Sequence, residues 1–426
     1  MMKCFINNKS YLFLLLLSSF FLLSSCVDYN NASKKVNIKI QIAAPDEYKE
    51  GEKVGVQEVK IKSTSIERTA MTDENGLVEF SDCMPDVYNI STSWELTDEE
   101  YTEKTGSESS VGGYIVTATV SEKVLNESLE NSTVQIKAVI SMKTPLVISK
   151  IYSSGSKAYP EKGGKNYMSG KYLEIYNQTD KPVDVAGLYI GLLDSTNPIP
   201  WTLSELINDP DIHGSKVVVK QVFRIPTDKP YILEGGQSIV LTNSAVDHSD
   251  VSDFEQNLTN SDFEAVGIND KLEHNPDVPK LIPAYTSSGG ATIMNLVQGG
   301  PCGIIIFETD EDVTTWQKTY GYGKTSGTQV YLLVPKNLIK DGVDFLKNKA
   351  GTGPDLSTKR LYNEIDAGCT HINAINGYTG EVVYRRTARV TSDGRKILRD
   401  TNNSNDDFKV STTTEIIKVR EYDDAE

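Results

Sequence analysis

The chain has 426 residues, a formal net charge of −16 and five cysteines. That acidic balance opposes nucleic acid as a partner, because nucleic-acid binders cluster Lys and Arg against phosphate. It equally opposes an electrostatic hold on anionic lipid. The length allows two or three domains of about 100–200 residues each, and so sparse a cysteine content excludes a disulfide scaffold.

Lys3 and Lys9 precede the apolar run Tyr11–Leu23. A positive flank and a short apolar segment are the first two regions of a secretory signal. The run falls short of the roughly 20 residues that cross a bilayer as a helix. It ends in Leu23-Ser24-Ser25-Cys26, which resembles a bacterial lipobox. The resemblance implies a signal peptide over residues 1–25, cleavage before Cys26, acylation of its thiol, and a short polar tether over 26–34. The alternative is an ordinary signal peptide with a chance cysteine near its end. Acyl chains, at about 0.8 kcal/mol per buried methylene, would hold the protein on a membrane. No Asp follows Cys26 directly, so the expected location is the outer membrane, facing the surface or the periplasm.

Residues 35–143 read as one β-sandwich. Val36–Ile42 alternates apolar and polar residues, the period of a half-buried strand. Val54–Ile61 repeats the pattern less cleanly. Asn75-Gly76 predicts a hairpin turn feeding the strand that ends at Phe80. Further strands are expected at Val87–Ser91, Tyr114–Val120 and Val134–Ile140, a number and spacing that suit a sandwich. The string Thr72–Phe80 followed by Pro85–Ile90 resembles the transthyretin-like and collagen-adhesin B-type sandwiches of bacterial surface proteins. Asp86 stands where those have Gly. The resemblance implies a spacer.

Pro145 marks a boundary, and residues 145–420 read as a second domain. Strands are expected at Leu146–Gly155, Lys171–Asp180 and Pro182–Gly191. The segment Glu174–Asp184, with Leu233–Asn243 after it, resembles the bacterial relatives of the lamin tail domain, an immunoglobulin-like sandwich. Gly235 replaces the Pro usual in that second string. Gly300–Glu308 fits a late core strand and Asp393–Phe408 a closing segment. Residues 195–232, 244–295 and 320–390 exceed what such a sandwich needs and are expected to be long loop insertions. The fold class is therefore all-β, two tandem β-sandwiches, the second heavily elaborated. The whole resembles uncharacterised Bacteroidetes lipoproteins that pair these two domain types.

Catalytic motifs are scarce. His213, His248, His274 and His371 lack His-Glu-x-x-His spacing, and no Gly-x-Ser-x-Gly elbow occurs. Gly323-Lys324-Thr325 lacks the first Gly of a phosphate loop, since Lys318 stands there. Ser154–Lys157 fits the permissive Ser-x-x-Lys spacing. Asp209 with Asp211, Asp310 with Asp312, and Asn402–Asp407 could offer oxygen ligands to calcium, but solvated turns explain them better. No cofactor and no metal is expected. Cys302 and Cys369, in the same proposed domain, are the favoured pair if a disulfide forms. Trp201, between prolines in an insertion, and Tyr285, beside a Gly-rich stretch, are the candidate binding residues, because such rings stack on sugars or anchor partners. Asp194-Ser195-Thr196 resembles a short O-glycosylation sequon of Bacteroidetes exports.

The leading expectation is a non-catalytic surface or periplasm-facing binding lipoprotein. Analogy with lipoproteins of that group makes a TonB-dependent transporter the expected partner. The alternatives are a structural envelope protein or adhesin, and a hydrolase with an unfamiliar site. An aromatic-lined loop surface would favour the binder, and a cleft of paired, perturbed carboxylates the hydrolase.

Overall fold

The computed structural model describes residues 34–109, 112–130, 132–196, 198–267, 271–287, 293–350 and 352–425. The signal segment and Cys26 lie outside the described residues. The fold is all-β, as the alternating patterns require.

The first sandwich holds eight strands: β1 Val36–Ala43, β2 Glu58–Lys62, β3 Glu67–Met71, β4 Leu77–Cys83, β5 Asp86–Leu96, β6 Tyr114–Leu125, β7 Thr133–Lys137 and β8 Val139–Met142. One sheet runs β4-β1-β7, with β1 and β7 parallel, and the other β3-β2-β5-β6-β8. Val36, Ile38, Ile40 and Ile42 all point into the space between the sheets, with Phe80, Tyr88 and Val116. Each such burial contributes about 1.5–3 kcal/mol. A one-residue slip of β1 would turn all four to solvent.

Two local features depart from the strand pattern. Asn75-Gly76 does form a turn: Asp73 Oδ1 accepts from the backbone of Asn75 and Leu77 at 2.8 and 2.9 Å. It does not close a hairpin, because β3 pairs with β2 while β4 pairs with β1. The turn carries the chain from one sheet to the other. Gly76 is required there, since a Cβ would meet Ile42 O at 2.5 Å, and its φ is +84°. A helix also interrupts the strands at Asp98–Thr105. Thr97 and Glu100 form a reciprocal capping box, and Gly106 ends the helix in the left-handed conformation, the arrangement that satisfies orphan N–H and C=O groups at helix ends.

In the second domain β9, Leu146–Tyr152, lies in the middle of a six-stranded sheet. Its neighbours are Tyr172–Asn177 and Val383–Arg385, with Ser238–Thr242, Phe263–Glu264 and Phe408–Val410 outward. A five-stranded sheet faces it, in the order Ile282–Thr286, Gln221–Arg224, Tyr189–Leu192, Ile304–Phe307, Ile339–Val343. Ile148, Ile175, Ile190, Phe223, Ile304 and Ile306 fill the space between them.

The insertions are not free loops. Lys216–Val219, Tyr331–Pro335 and Lys318–Thr319 form a further three-stranded sheet. It packs on the outer face of the five-stranded one: Tyr189, Val222, Ile305 and Phe307 join Val217, Val219, Leu332 and Val334 in a second core. Ile304–Phe307 is therefore buried on both faces, which is why it reads as an unbroken apolar run. The outer face of the six-stranded sheet is covered by the C-terminal segment. Lys150 and Glu174 lie fully buried beneath it: Lys150 Nζ donates to Lys418 O at 2.6 Å, and Tyr422 Oη donates to Glu174 Oε2 at 2.8 Å. Burial pushes the Lys150 ammonium down from its usual range, with Glu174 opposing.

The two sandwiches meet through polar groups on the outer face of β2, β5, β6 and β8. Ser91 Oγ donates to Asp406 Oδ2 at 2.9 Å, Thr117 Oγ1 to Thr401 O at 2.6 Å and Ser141 Oγ to Glu364 O at 2.6 Å. Lys60 pairs with Asp406. The run Asn402–Asp407, expected as a solvated turn, is in fact the interdomain plug, with Asn403, Ser404, Asp406 and Asp407 buried.

Candidate functional site

Where the third layer turns over, two loops leave an open groove of about 550 Å³. One loop follows Tyr189–Leu192 and runs through Pro198 and Pro200 into the helix Leu203–Asn208, capped by Thr202 and Glu205. The other precedes Tyr331–Pro335 and carries Tyr320, Tyr322, Lys324 and Gln329 to the opposite wall. Tyr322 is 49% exposed, an apolar ring face held out beside hydroxyl, amide and ammonium groups. Such a mixture, rings with a few convergent polar groups, is the usual lining of a small-ligand site.

Trp201 supports this groove from beneath rather than lining it. It is 5% exposed and belongs to the second core, its Nε1 donates to Tyr320 O at 2.7 Å, and its ring meets Tyr322 edge-on at 5.1 Å. The expectation of direct contact is thus corrected: the flanking prolines lay the indole inward, where its N–H finds a backbone acceptor. Tyr285 is corrected likewise. It is half-buried against the same core and its hydroxyl donates to Val330 O, so it fixes the start of the Tyr331 strand and lies outside the groove. The residues missed were Tyr320, Tyr322 and Lys324, whose signal in the sequence was the aromatic–glycine alternation Tyr320-Gly321-Tyr322-Gly323.

The groove floor rests on buried charge. Tyr331 Oη donates to Asp194 Oδ2 at 2.5 Å, and Lys220 pairs with Asp194 at 3.2 Å. Burial opposes ionisation of Asp194, yet the Tyr331 hydrogen bond and Lys220 outweigh it and hold the carboxyl below its usual range. Burial, then the Asp194 carboxylate, push the Tyr331 phenol up. Both therefore keep their states at neutral pH, the phenol as donor and the carboxylate as acceptor. Asp194 is 1% exposed, so the acidic residue of the sequon lies inside this network.

Cys302 and Cys369 do not form the expected disulfide. Both are free and buried, as is Cys83. The Cys302 thiol faces the sandwich core and donates weakly to Asn295 O at 3.4 Å. Burial pushes both thiols up, Cys369 to about 12, so neither is a ready nucleophile. The acidic loops act as turns: Asp209 Oδ1 accepts from the backbone of Asp211 at 3.0 Å, and Asp312 Oδ1 from that of Thr314 at 2.9 Å. Among the described residues no cluster of three or more His, Cys, Asp or Glu could hold a metal ion.

No curated protein matches the chain. It is similar in fold to the crystal structure of a DUF4876 family protein from Bacteroides thetaiotaomicron VPI-5482, at a TM-score of 0.53 and 20% identity, covering 88% of this chain and 94% of that one. Residues 234–415, which span most of the second domain and its interdomain plug, match the model of a family described as a protein of unknown function, DUF4876.

Proposed function

We propose that the protein is a lipid-anchored outer-membrane component that binds rather than catalyses, and that its ligand groove is the one walled by Tyr320 and Tyr322. In this reading the acylated Cys26 fixes the chain to the membrane. The first sandwich is the spacer, and the second presents the groove on its outermost layer. The groove itself carries the proposal: three tyrosines (Tyr320, Tyr322 and Tyr331), two prolines and polar side chains stand together on insertions that the sandwich does not need for closure. Ring faces beside hydroxyl and amide groups suit an uncharged sugar chain, which offers apolar C–H faces and hydroxyls together. A TonB-dependent transporter is the partner this reading expects, with the lipoprotein as its accessory.

The test is a mild-detergent pull-down of tagged full-length protein from its own outer membranes. Stoichiometric recovery of a transporter supports the accessory role. Recovery of the lipoprotein alone contradicts a stable complex and leaves an adhesin as the better description.

A further inference from the structure

The chain contains nine arginines, and five of them fall between positions 385 and 399. Arg385 turns inward. Arg386, Arg389, Arg395 and Arg399 line a cleft of about 750 Å³ between the two sandwiches, with Lys143 from the linker. In a protein of net charge −16 this is a local inversion of sign. Three carboxylates also line the cleft, and two are engaged: Glu95 with Lys143 at 2.7 Å, and Asp400 with Arg385 at 3.2 Å.

The cleft is built. Arg389 and Arg395 stand on the hairpin in which Thr387–Val390 pairs with Lys396–Leu398. Arg395 lies over the Gly235–Gly236 turn, where a Cβ on Gly236 would meet its Cγ at 2.8 Å. A Cβ on Gly235 would sit 2.5 Å from Thr179 O, so this glycine lets the Gln178–Asp180 loop close as the opposite wall. Arg395 Nη1 donates to Gln178 O at 2.8 Å, which holds the guanidinium in place, and its Nε, without a hydrogen bond, faces the Asp393 carboxylate at 4.0 Å. Arg399 stands 3.8 Å from Asp407, and its side chain is 42% exposed. Arg389 is exposed and meets no carboxylate among the described residues.

We propose that this interdomain cleft binds a small ligand carrying two or more oxyanion groups, gripped by the guanidinium groups of Arg389, Arg395 and Arg399. Guanidinium forks match the planar oxygen pairs of carboxylate, sulfate and phosphate. Among the described residues no aromatic ring lines the cleft, so recognition there is by charge and not by stacking. Its size suits a ligand of a few sugar or phosphate units. This proposal stands apart from the aromatic groove, and either can fail alone.

The test is calorimetric titration of the full-length protein at low salt with trigalacturonate, with inorganic tripolyphosphate and with uncharged maltotriose. At least one anionic probe is expected to bind at this cleft, more weakly as salt rises. R389Q/R399Q is expected to weaken it about tenfold or more, since the charge-assisted guanidinium–oxyanion hydrogen bonds are lost. The single R389Q, at an exposed side chain, gives the same direction should the double variant lose stability. K157Q serves as a remote control and leaves affinity unchanged. Which anion binds tells carboxylate from phosphate. Failure of both anions to bind, or equal affinity in R389Q/R399Q, overturns the proposal.

Discussion

Replacing Arg385 by Met is the most informative single change in the second domain. The guanidinium donates to Asp341 at 3.0 and 2.9 Å, to Ile148 O at 2.7 Å and to Arg399 O at 2.9 Å, and it stands 3.2 Å from Asp400 and 3.4 Å from Asp407. Methionine keeps the apolar stem, so the loss is electrostatic. Three carboxylates would remain buried without their cation, a change worth about 3–5 kcal/mol. For a domain of this size that lowers the melting temperature by on the order of 10 °C. The deficit must also depend on pH. Without Arg385 the carboxylates protonate more readily, and once neutral they no longer repel. The shift should therefore be large at pH 8 and small at pH 5. Differential scanning calorimetry of both proteins at the two values measures it. An equal shift at both pH values, or a shift under about 2 °C, refutes the electrostatic account.

Other outcomes follow from the same structure. In the wild type, burial pushes Asp341 and Asp407 up to about 7 against the pull of Arg385, with Asp400 adding to the rise. A raised folded pKa contributes stability below the unfolded value of 3.8 that is lost as pH climbs to about 7. Asp400→Asn removes the added repulsion, so denaturation curves should show a flatter loss between those limits. Asp406→Ala frees Lys60, Ser91 and Asn403 from their shared carboxylate; the two sandwiches should then unfold in separate calorimetric steps, whereas a single unchanged transition would exclude the plug as the coupling element. Iodoacetamide should modify Cys83, Cys302 and Cys369 only after denaturation, read by mass spectrometry. Rapid native labelling of Cys302 would show that it is not in the core.

The sandwich strands were legible because period-2 alternation marks a sheet with one wet face: β1 and β4 show it directly. Less visible was the third layer, although Ile304–Phe307 carried its signal as an apolar run too long for a one-sided strand. Trp201 was misassigned because flanking prolines suggest an exposed loop, whereas the backbone carbonyl that accepts its N–H lies 119 positions away in sequence. Distance along the chain also hid the interdomain plug, since Lys60 and Asp406 are 346 positions apart. The helices Asp98–Thr105 and Leu203–Asn208 went unread, although Thr-x-x-Glu capping boxes at Thr97 and Thr202 carried their signal. The arginine cluster was in plain view, but a whole-chain charge of −16 averages it away.

The sugar chain proposed for the tyrosine-walled groove would rest on Tyr320 and Tyr322. Glycan-array binding of the full-length protein, repeated with Tyr320→Ala/Tyr322→Ala, tests it most directly. Truncating an aromatic anchor at the centre of a binding site costs about 2 kcal/mol or more, so the signal should fall at least about tenfold in the variant, while the unliganded variant keeps the wild-type far-ultraviolet circular dichroism. Binding that survives both substitutions, or no glycan bound by the wild type, would contradict it.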